Sequence, residues 1–462
     1  MKKLTALILT LIIVSSSLLA GCGNSSSGQT AESPAQTAGE ESSAVSEEKE
    51  QRTPADGQVL TLWDVVVREP HPVARDKVIA MFEEKNPGIK VEVTTLTGDI
   101  NQKIQSAAAG GTLPDLIFTW NPGDVTTWGQ MGITAPVDDI VEEYGPDWWL
   151  SAKQMELYQI DGKTWGVPLV TFPTTLWYDK DRFDAQGLDV PTTWDEWYDA
   201  ALKLTKDTDG DGEPDQFGLV LGIAEGWPFG DIRGSNADYW WDAQGNLTFS
   251  DKTIETLDFL RKMYDDTCYP GSVSFQNEGQ RLGFLSGQGA TMVTSISFVN
   301  TIIEEKGLDW LREGHVGVAP IPSNAAPDEG AGSGASTHAI GVMDGSNVDL
   351  AKDFLRFWLS EEALVTYFSS NIPGHLPPYT AVWDSEEFRA AHEAYWDLYE
   401  TGREIIATTQ WFHPTAKWEA LFNADGGDGK NVMSYVTVER MSSEEIVEKL
   451  KKIAENAKAE IE

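Results

Sequence analysis

An aspartate-rich stretch, KDTDGDGEPDQFG at residues 206–218, carries the side chains best suited to holding a hard cation. Its acidic residues follow the spacing of an EF-hand loop, with Gly212 at the sharp turn of position 6. The candidate ligands are Asp207, Asp209, Asp211, Asp215 and the backbone carbonyl of Glu213. Position 12, where calcium sensors place a bidentate glutamate, is Gly218. The loop therefore predicts a structural calcium site, with a solvated Asp/Gly turn as the alternative.

Motifs for covalent or hydrolytic chemistry are missing from the sequence. It contains no GxSxG elbow, no HExxH and no P-loop, and the His392-Glu393 pair is followed by Trp396 where a second histidine would be needed. With 73 acidic residues a pair of glycosidase carboxylates can always be imagined, but no pair is singled out. We expect a protein that is not an enzyme, with an exported glycosidase as the alternative.

Composition narrows the class of ligand. The formal net charge is −39, which disfavours nucleic acid because phosphate binding needs a basic surface. The chain has 18 tryptophans, and an indole can stack on the apolar face of a sugar while its N–H donates a hydrogen bond. These features favour a neutral or cationic ligand and suit a carbohydrate.

The N-terminus is typical of an exported lipoprotein. Lys2 and Lys3 precede the apolar run LTALILTLIIV, and the sequence LAGC ends at Cys22. This pattern predicts a signal peptide over residues 1–21 and a lipidated Cys22, which would hold the protein at the outer face of the cell membrane. Residues 23–58 are too poor in large apolar side chains to fold, so we expect a flexible tether with ends roughly 30–35 Å apart. Only Cys268 then remains, as a buried apolar side chain without a disulfide partner.

The chain after the tether alternates strand and helix patterns, which predicts an α/β fold with a parallel sheet covered by helices. Thr193 and Glu196 form a capping box before a helix. The predicted strands are 59–67, 89–96, 114–120, a short strand within 281–302, and 315–322. The predicted helices are 72–85, INQKIQSAAAG, 191–205, a pair within 349–368 and a closing C-terminal helix.

Several segments in this order resemble the extracellular solute-binding proteins of ABC importers, in the carbohydrate-binding class that includes maltose-binding proteins. The segments are FEEKNPGIKVEV, LPDLIFTW, DGKTWGVPLV, LWYDKDRF, PTTWDEW, FLSGQGATM and VGVAPIP. The resemblance implies two α/β lobes joined by a hinge, 59–170 plus 323–372 and 171–322 plus 373–462, with a ligand cleft between them. It also implies a monomer that needs no functional cofactor and delivers a sugar, in our reading an oligosaccharide, to a membrane permease.

Ligands of open α/β sheets bind beyond the carboxyl ends of the strands. Trp63 and Asp64 end the first strand, and Trp120, Asn121 and Asp124 follow the third. The resemblance places Trp120 and Asp124 at sugar-contacting positions. We therefore expect indole faces to cover the sugar while Asp64, Asn121 and Asp124 accept hydroxyl hydrogens.

Further candidates come from the second predicted lobe. Phe172 stands where the resemblance expects a cleft glutamate, which argues against maltose itself. Trp227 and Phe229, in EGWPFGD, read as a Gly/Pro loop with no helix face to bury them, which favours a stacking role. The resemblance adds Ser297, Phe298, Trp411 and His413.

A different ligand remains the main alternative within the binding role. Polyamine-binding proteins also combine aromatic boxes with acids, and the negative charge fits them; a peptide is the other possibility. Capture of a transition metal would need clustered histidines, and the six in this chain are scattered.

Overall fold

A computed structural model of the protein describes residues 57–68, 70–225, 227–240, 248–326, 334–345, 347–409 and 431–461. These residues lie within one compact unit, Pro54–Glu462. The predictions for the signal peptide, Cys22, Trp411 and His413 fall outside the described residues.

Ten strands are described. They are β1 (Gln58–Asp64), β2 (Ile89–Thr95), β3 (Leu116–Thr119), β4 (Gln159–Ile160), β5 (Lys163–Thr164), β6 (Val167–Asp179), β7 (Phe217–Val220), β8 (Gly289–Ser295), β9 (Val316–Ala319) and β10 (Ala335–Val342).

The α-helices cover these strands. They are α1 (His71–Lys85), α2 (Ile100–Gly110), α3 (Pro122–Gln130), α4 (Asp138–Tyr144), α5 (Ala152–Glu156), α6 (Lys180–Gln186), α7 (Trp194–Leu204), α8 (Trp227–Ser235), α9 (Asp251–Thr267), α10 (Asn277–Leu285), α11 (Phe298–Lys306), α12 (Leu308–Glu313), α13 (Val348–Trp358), α14 (Glu361–Phe368), α15 (Thr380–Trp383), α16 (Glu386–Ala391), α17 (Trp396–Thr408), α18 (Val432–Thr437) and α19 (Ser443–Ile461).

The sheet is mixed, so the predicted parallel sheet is correct only in part. Strand β1 pairs in parallel with β2 and β3, as the βα alternation requires. Strand β10 then adds antiparallel to β3, and β6 adds antiparallel to β10. An antiparallel strand on a parallel sheet is common, and here it comes from a distant part of the chain that no local pattern connects to β3.

Strand β6 links two sets of strands. Its first half, from Val167, pairs with β10, and its second half, to Asp179, pairs with β8 and β9. The strand order is β2-β1-β3-β10-β6-β8-β7, with β9 also on β6. The predicted lobe boundary at 170/171 falls inside this strand and stays a prediction.

Local sequence signals fix the helices. Pro72 occupies the first turn of α1, where its missing N–H is not needed. Thr193 accepts from the Glu196 N–H and Glu196 reaches back to the Thr193 N–H, which confirms the capping box before α7. Cys268 is buried as predicted, and burial raises the pKa of its thiol to about 12.

The described helices include none that is both long enough and apolar enough to cross a membrane.

Candidate functional site

Trp120 begins the candidate site, because it directly follows β3 and stays exposed. Its relative exposure is 42%, and it is the one aromatic among the exposed large apolar side chains of the described residues. Asp64 lies opposite Phe118 in the neighbouring parallel strand, so the carboxyl ends of β1 and β3 meet at one edge of the sheet. An exposed indole at this edge is placed as a ligand-stacking residue would be.

Trp120 belongs to a group of four rings that we call the aromatic wall. The other three rings, which lie behind it, are His338, Phe172 and His375. The ring centroid of Trp120 is 4.9 Å from that of His338, and Phe172 lies 4.6 Å from His338 and 4.8 Å from His375. All three pairs are close to edge-to-face, the arrangement that ring quadrupoles favour. The wall joins β3, β6 and β10 to the segment carrying His375.

Both histidines of the wall are neutral at physiological pH. Burial lowers the pKa of His338 to about 3, and the nearby His71 acts in the same direction. Burial, aided by His338, holds the pKa of His375 well below its usual value. The wall therefore contains polar ring nitrogens without positive charge.

Asn121 and Asp124 follow Trp120 in the chain, at the start of α3. Asn121 is exposed, and its side chain makes no capping hydrogen bond although it precedes the helix. Asp124 lies in the first helical turn, where a negative charge is favourable, and it accepts a hydrogen bond from the Thr119 hydroxyl. Both residues are close to Trp120 in the chain, so their side chains could contact the same ligand.

Asp64 has a different environment from the one expected of a ligand acceptor. It is fully buried and accepts from the Val66 N–H at 2.8 Å, from His71 Nε2 at 2.8 Å and from Arg75 at 2.6 Å. Burial works to raise the pKa of this carboxyl, but the partners, His71 foremost, outweigh burial and lower it. Tyr367 completes the network through His71 Nδ1 at 2.7 Å. The carboxylate is committed to the interior, so the expectation of hydroxyl binding does not fit it.

Trp63 is partly buried and packs on the larger hydrophobic core. It pairs with Ile117 of β3 and Thr94 of β2 across the sheet. Its position supports the strand, and no contact brings it to the aromatic wall in the described part of the chain.

The prediction of a Gly/Pro loop around Trp227 and Phe229 was wrong, because both belong to helix α8. Pro228 lies in the first turn, where proline is tolerated, so the Pro/Gly content does not prevent a helix. Phe229 is 1% exposed and packs in the second hydrophobic core with Trp240, 5.5 Å away. Burial leaves Phe229 no surface for stacking on a ligand.

Ser297 and Phe298 separate into two roles. Phe298 is fully buried against Trp177 at 5.0 Å, so it is a core residue and not a cleft aromatic. Ser297 is half-buried and accepts a hydrogen bond from Arg281 at 2.9 Å. Gly374, which precedes His375, lies so close that a Cβ there would be 2.5 Å from Ser297 Cα. Ser297 is thus next to the segment that carries one ring of the wall.

The predicted calcium loop does bring acidic groups together. Asp207, Asp209 and Asp211 are exposed, and one carboxylate oxygen of each lies within 4.8 Å of the others. Asp215 points elsewhere, accepting from the Thr208 N–H and hydroxyl at 3.1 and 2.6 Å. Backbone N–H donors of the loop lower the pKa of Asp207, chiefly that of Gly212. Three of the predicted ligands fit a hard cation, and Asp215 would have to turn to join them.

Sequence reasoning missed His338 and His375. Neither belongs to a motif: STHAIGV reads as an ordinary strand and PGHLPP as an ordinary turn. Only the pairing of β10 between β3 and β6 brings His338 to Trp120 and Phe172. No signal within either segment could have found them.

Comparison with known proteins gives a consistent result. The sequence pattern of the family described as "Bacterial extracellular solute-binding protein" matches residues 69–365. An arabinooligosaccharide-binding protein of Bacillus subtilis is 25% identical over 424 residues, 88% of this chain and 87% of the relative. One from Halalkalibacterium halodurans is 24% identical and covers 76% of each chain.

Solved structures share the fold. An ABC substrate-binding protein of Listeria monocytogenes in complex with cycloalternan superposes with a TM-score of 0.68 at 21% identity, covering 88% of this chain and 99% of that chain. A maltose/maltodextrin-binding domain of Bdellovibrio bacteriovorus bound to maltotriose gives a TM-score of 0.64 at 18% identity, covering 87% and 99%. At these identities the likeness confirms the two-lobed α/β fold alone.

Proposed function

The chain belongs to the bacterial extracellular solute-binding protein family, and on that premise we propose that it captures an oligosaccharide outside the cell and delivers it to the permease of an ABC importer. The relatives named for arabinooligosaccharide binding match it along most of their length. They favour a sugar over a polyamine or a peptide, and the family is one of binding proteins, which gives no support to the glycosidase alternative.

One observation carries the proposal: the exposed face of Trp120 at the carboxyl edge of the sheet, with the aromatic wall behind it. An indole face matches the C–H face of a pyranose or furanose ring, and each such stack contributes about 1 kcal/mol beyond the burial of area. Asn121 and Asp124 lie beside it and supply amide and carboxylate groups for hydroxyls.

The proposed ligand-binding residues follow from these contacts. They are Trp120, Asn121, Asp124 and Phe172, with Ser297, which follows the strand β8 that pairs with the second half of β6. Trp411 and His413 stay in the proposal on the resemblance alone, and Trp227 stays as an indole at the start of α8. Asp64, Phe229 and Phe298 are left out because their side chains are occupied in the interior.

A thermal-shift screen tests the function. Purified protein is melted with arabinotriose, maltotriose, xylotriose, spermidine or a tripeptide, since a ligand that binds only the folded state raises the melting temperature. We expect at least one trisaccharide to raise it. A rise with spermidine or the tripeptide and none with any sugar would contradict the proposal.

We further propose that the protein acts as a monomer anchored through a lipidated Cys22. The charge of the folded part gives it no attraction to anionic lipid, so a lipid is what would keep it near the permease. The Cys22→Ala variant should be released into the medium of producing cells while the unaltered protein stays with the membrane fraction. Equal membrane retention of both would contradict the anchor.

The aspartate loop is proposed to hold a structural calcium ion through Asp207, Asp209, Asp211 and the Glu213 carbonyl. When bound, the ion would neutralise the clustered carboxylates and stabilise the turn before β7. Calcium should then raise the melting temperature, and Asp209→Asn should abolish the rise. If the melting temperature is the same in calcium and in chelator, the loop is a solvated turn and the calcium proposal is contradicted.

A further inference from the structure

The histidines of the described residues divide into two groups by their hydrogen bonds. His71 has partners at both ring nitrogens, His315 contacts Asp181 and Glu313, and His392 Nδ1 contacts the Phe388 carbonyl at 2.8 Å. His338 and His375 differ, because the Nδ1 atom of each is buried without a hydrogen-bond partner in the described part of the chain.

Both of these histidines lie at the same place, in edge-to-face contact with Phe172. Their ring centroids are 6.1 Å apart, with Phe172 within 4.8 Å of each. His338 also contacts the exposed indole of Trp120 and is itself only 8% exposed. Two buried ring nitrogens without a partner in the described residues thus lie directly behind the surface proposed to bind sugar.

A register shift in the backbone and nearby hydrogen bonds fix the position of His338. The β6–β10 ladder shifts register beside it, from the Thr337–Thr171 pair to the Ala339–Pro168 pair, and such bulges re-aim side chains next to binding sites. The Tyr158 hydroxyl donates to the His338 backbone carbonyl at 3.0 Å. Gln154 and Tyr158 both contact the Thr337 hydroxyl, at 3.0 and 2.9 Å.

A neutral imidazole matches the chemistry of a sugar hydroxyl. It carries one donor and one acceptor nitrogen, and a hydroxyl can accept from the first or donate to the second. A buried polar atom left without a partner costs free energy, so a ligand that satisfies it gains affinity while an analogue that cannot is rejected. A cationic ligand carries donors and no acceptor, so it could use only the acceptor nitrogen.

We propose that His338, supported by His375, is a specificity-determining residue that hydrogen-bonds a hydroxyl of the sugar stacked on Trp120. The inference rests on the proposed function and adds to it the residue that selects an uncharged, hydroxyl-bearing ligand over an apolar or cationic one.

The first test uses calorimetric titration of the purified protein with arabinotriose, maltotriose and xylotriose at pH 7.5. His338→Leu should weaken binding of the trisaccharide that binds best by about tenfold or more, the loss expected when one buried hydrogen bond is removed. His338→Asn, whose amide can replace Nδ1, should lose less. The matched control is His392→Gln, a buried histidine away from the wall, which should bind as the unaltered protein does.

The second test needs no substitution at His338 in the measured sample. Imidazole ¹⁵N resonances are recorded with and without the same trisaccharide, and His338 is identified by its absence from the His338→Asn spectrum. We expect the His338 signals to move on binding while those of His392 stay in place.

Wild-type affinity in His338→Leu, or His338 resonances that do not move at saturation, would overturn the inference while leaving sugar binding intact. Failure of the unaltered protein to bind any trisaccharide would overturn the proposed function and this inference with it. Because the unaltered protein is titrated first, the two failures are distinguishable.

Discussion

At the scale of single residues, Trp120 and Asp64 illustrate how neighbours at one sheet edge take opposite roles. Trp120 projects into solvent beside Asn121, whereas Asp64 turns inward to His71 and Arg75. The strand-end rule finds both positions, but it cannot say which side chain faces the ligand. The distinction depends on partners that come from α1, and only the folded structure brings them together.

Trp120→Ala should weaken sugar binding about tenfold or more, because it removes the stacking face and the area it buries. Calorimetric titration measures the loss. Trp310→Ala is the matched control, since Trp310 is a partly exposed indole that stacks on His315 and lies outside the aromatic wall. Equal affinity of Trp120→Ala and the unaltered protein would show that the sugar binds elsewhere.

Asp64→Ala should lower the free energy of unfolding by about 3–5 kcal/mol, because it leaves Arg75 and His71 buried without their carboxylate. Denaturant unfolding measures this change. Variant protein that remains folded should keep its sugar affinity within a few-fold. A large loss of affinity with little loss of stability would restore Asp64 to the binding site.

At the scale of elements, the sequence predicts most of the fold and less of the site. Apolar periodicity and caps give β1, α1, β2, α2, β3 and α7 within three residues of their observed bounds. The reason is that these elements are specified by their own residues. Helix α8 was missed because Pro228 and Gly230 suggested a loop, although proline is tolerated in the first turn of a helix. The contribution of β10 was missed because strand pairing between distant segments leaves no local pattern.

Helix α8 provides a direct test of that correction. Phe229→Ala should cost about 3–5 kcal/mol of unfolding free energy, because the ring is buried against Trp240 in the second core. Its sugar affinity at a temperature where it is folded should match that of the unaltered protein. Little change in stability combined with weaker sugar binding would return Phe229 to the ligand.

Asp231, also on α8, should make stability depend on pH. Burial raises the pKa of its carboxyl to about 7, against the opposing hydrogen bond with Thr174. The folded state therefore disfavours the ionised carboxylate. The carboxyl has a pKa near 4 in the unfolded chain, so ionisation destabilises the folded protein increasingly as pH rises above about 4. This loss of stability is complete above about pH 7. Asp231→Asn should be more stable than the unaltered protein at pH 8 by about 1–2 kcal/mol, after allowance for partial exposure of the group.

That advantage should shrink between pH 8 and pH 5, and thermal melts of both proteins at each pH measure it. His338 also makes stability depend on pH, in the opposite direction, because its lowered pKa removes stability as pH falls below about 6.5. Both proteins contain His338, so this contribution cancels when their melting temperatures are compared. An advantage for Asp231→Asn that is the same at both pH values would contradict the raised pKa.

At the scale of the whole molecule, β6 connects the strands that carry Trp120 to those that carry Ser297. The aromatic wall lies along the first half of this strand, so a ligand stacked on Trp120 is adjacent to the link between the two sets of strands. We expect occupancy of the site to be coupled to movement about β6, which is the property an importer needs to distinguish loaded from empty binding protein.

The most direct test of the account is a calorimetric titration of the unaltered protein with arabinotriose, maltotriose, xylotriose and spermidine. We predict saturable binding of one trisaccharide per chain and no heat of binding with spermidine. Saturable binding of spermidine with none of the sugars would contradict sugar capture.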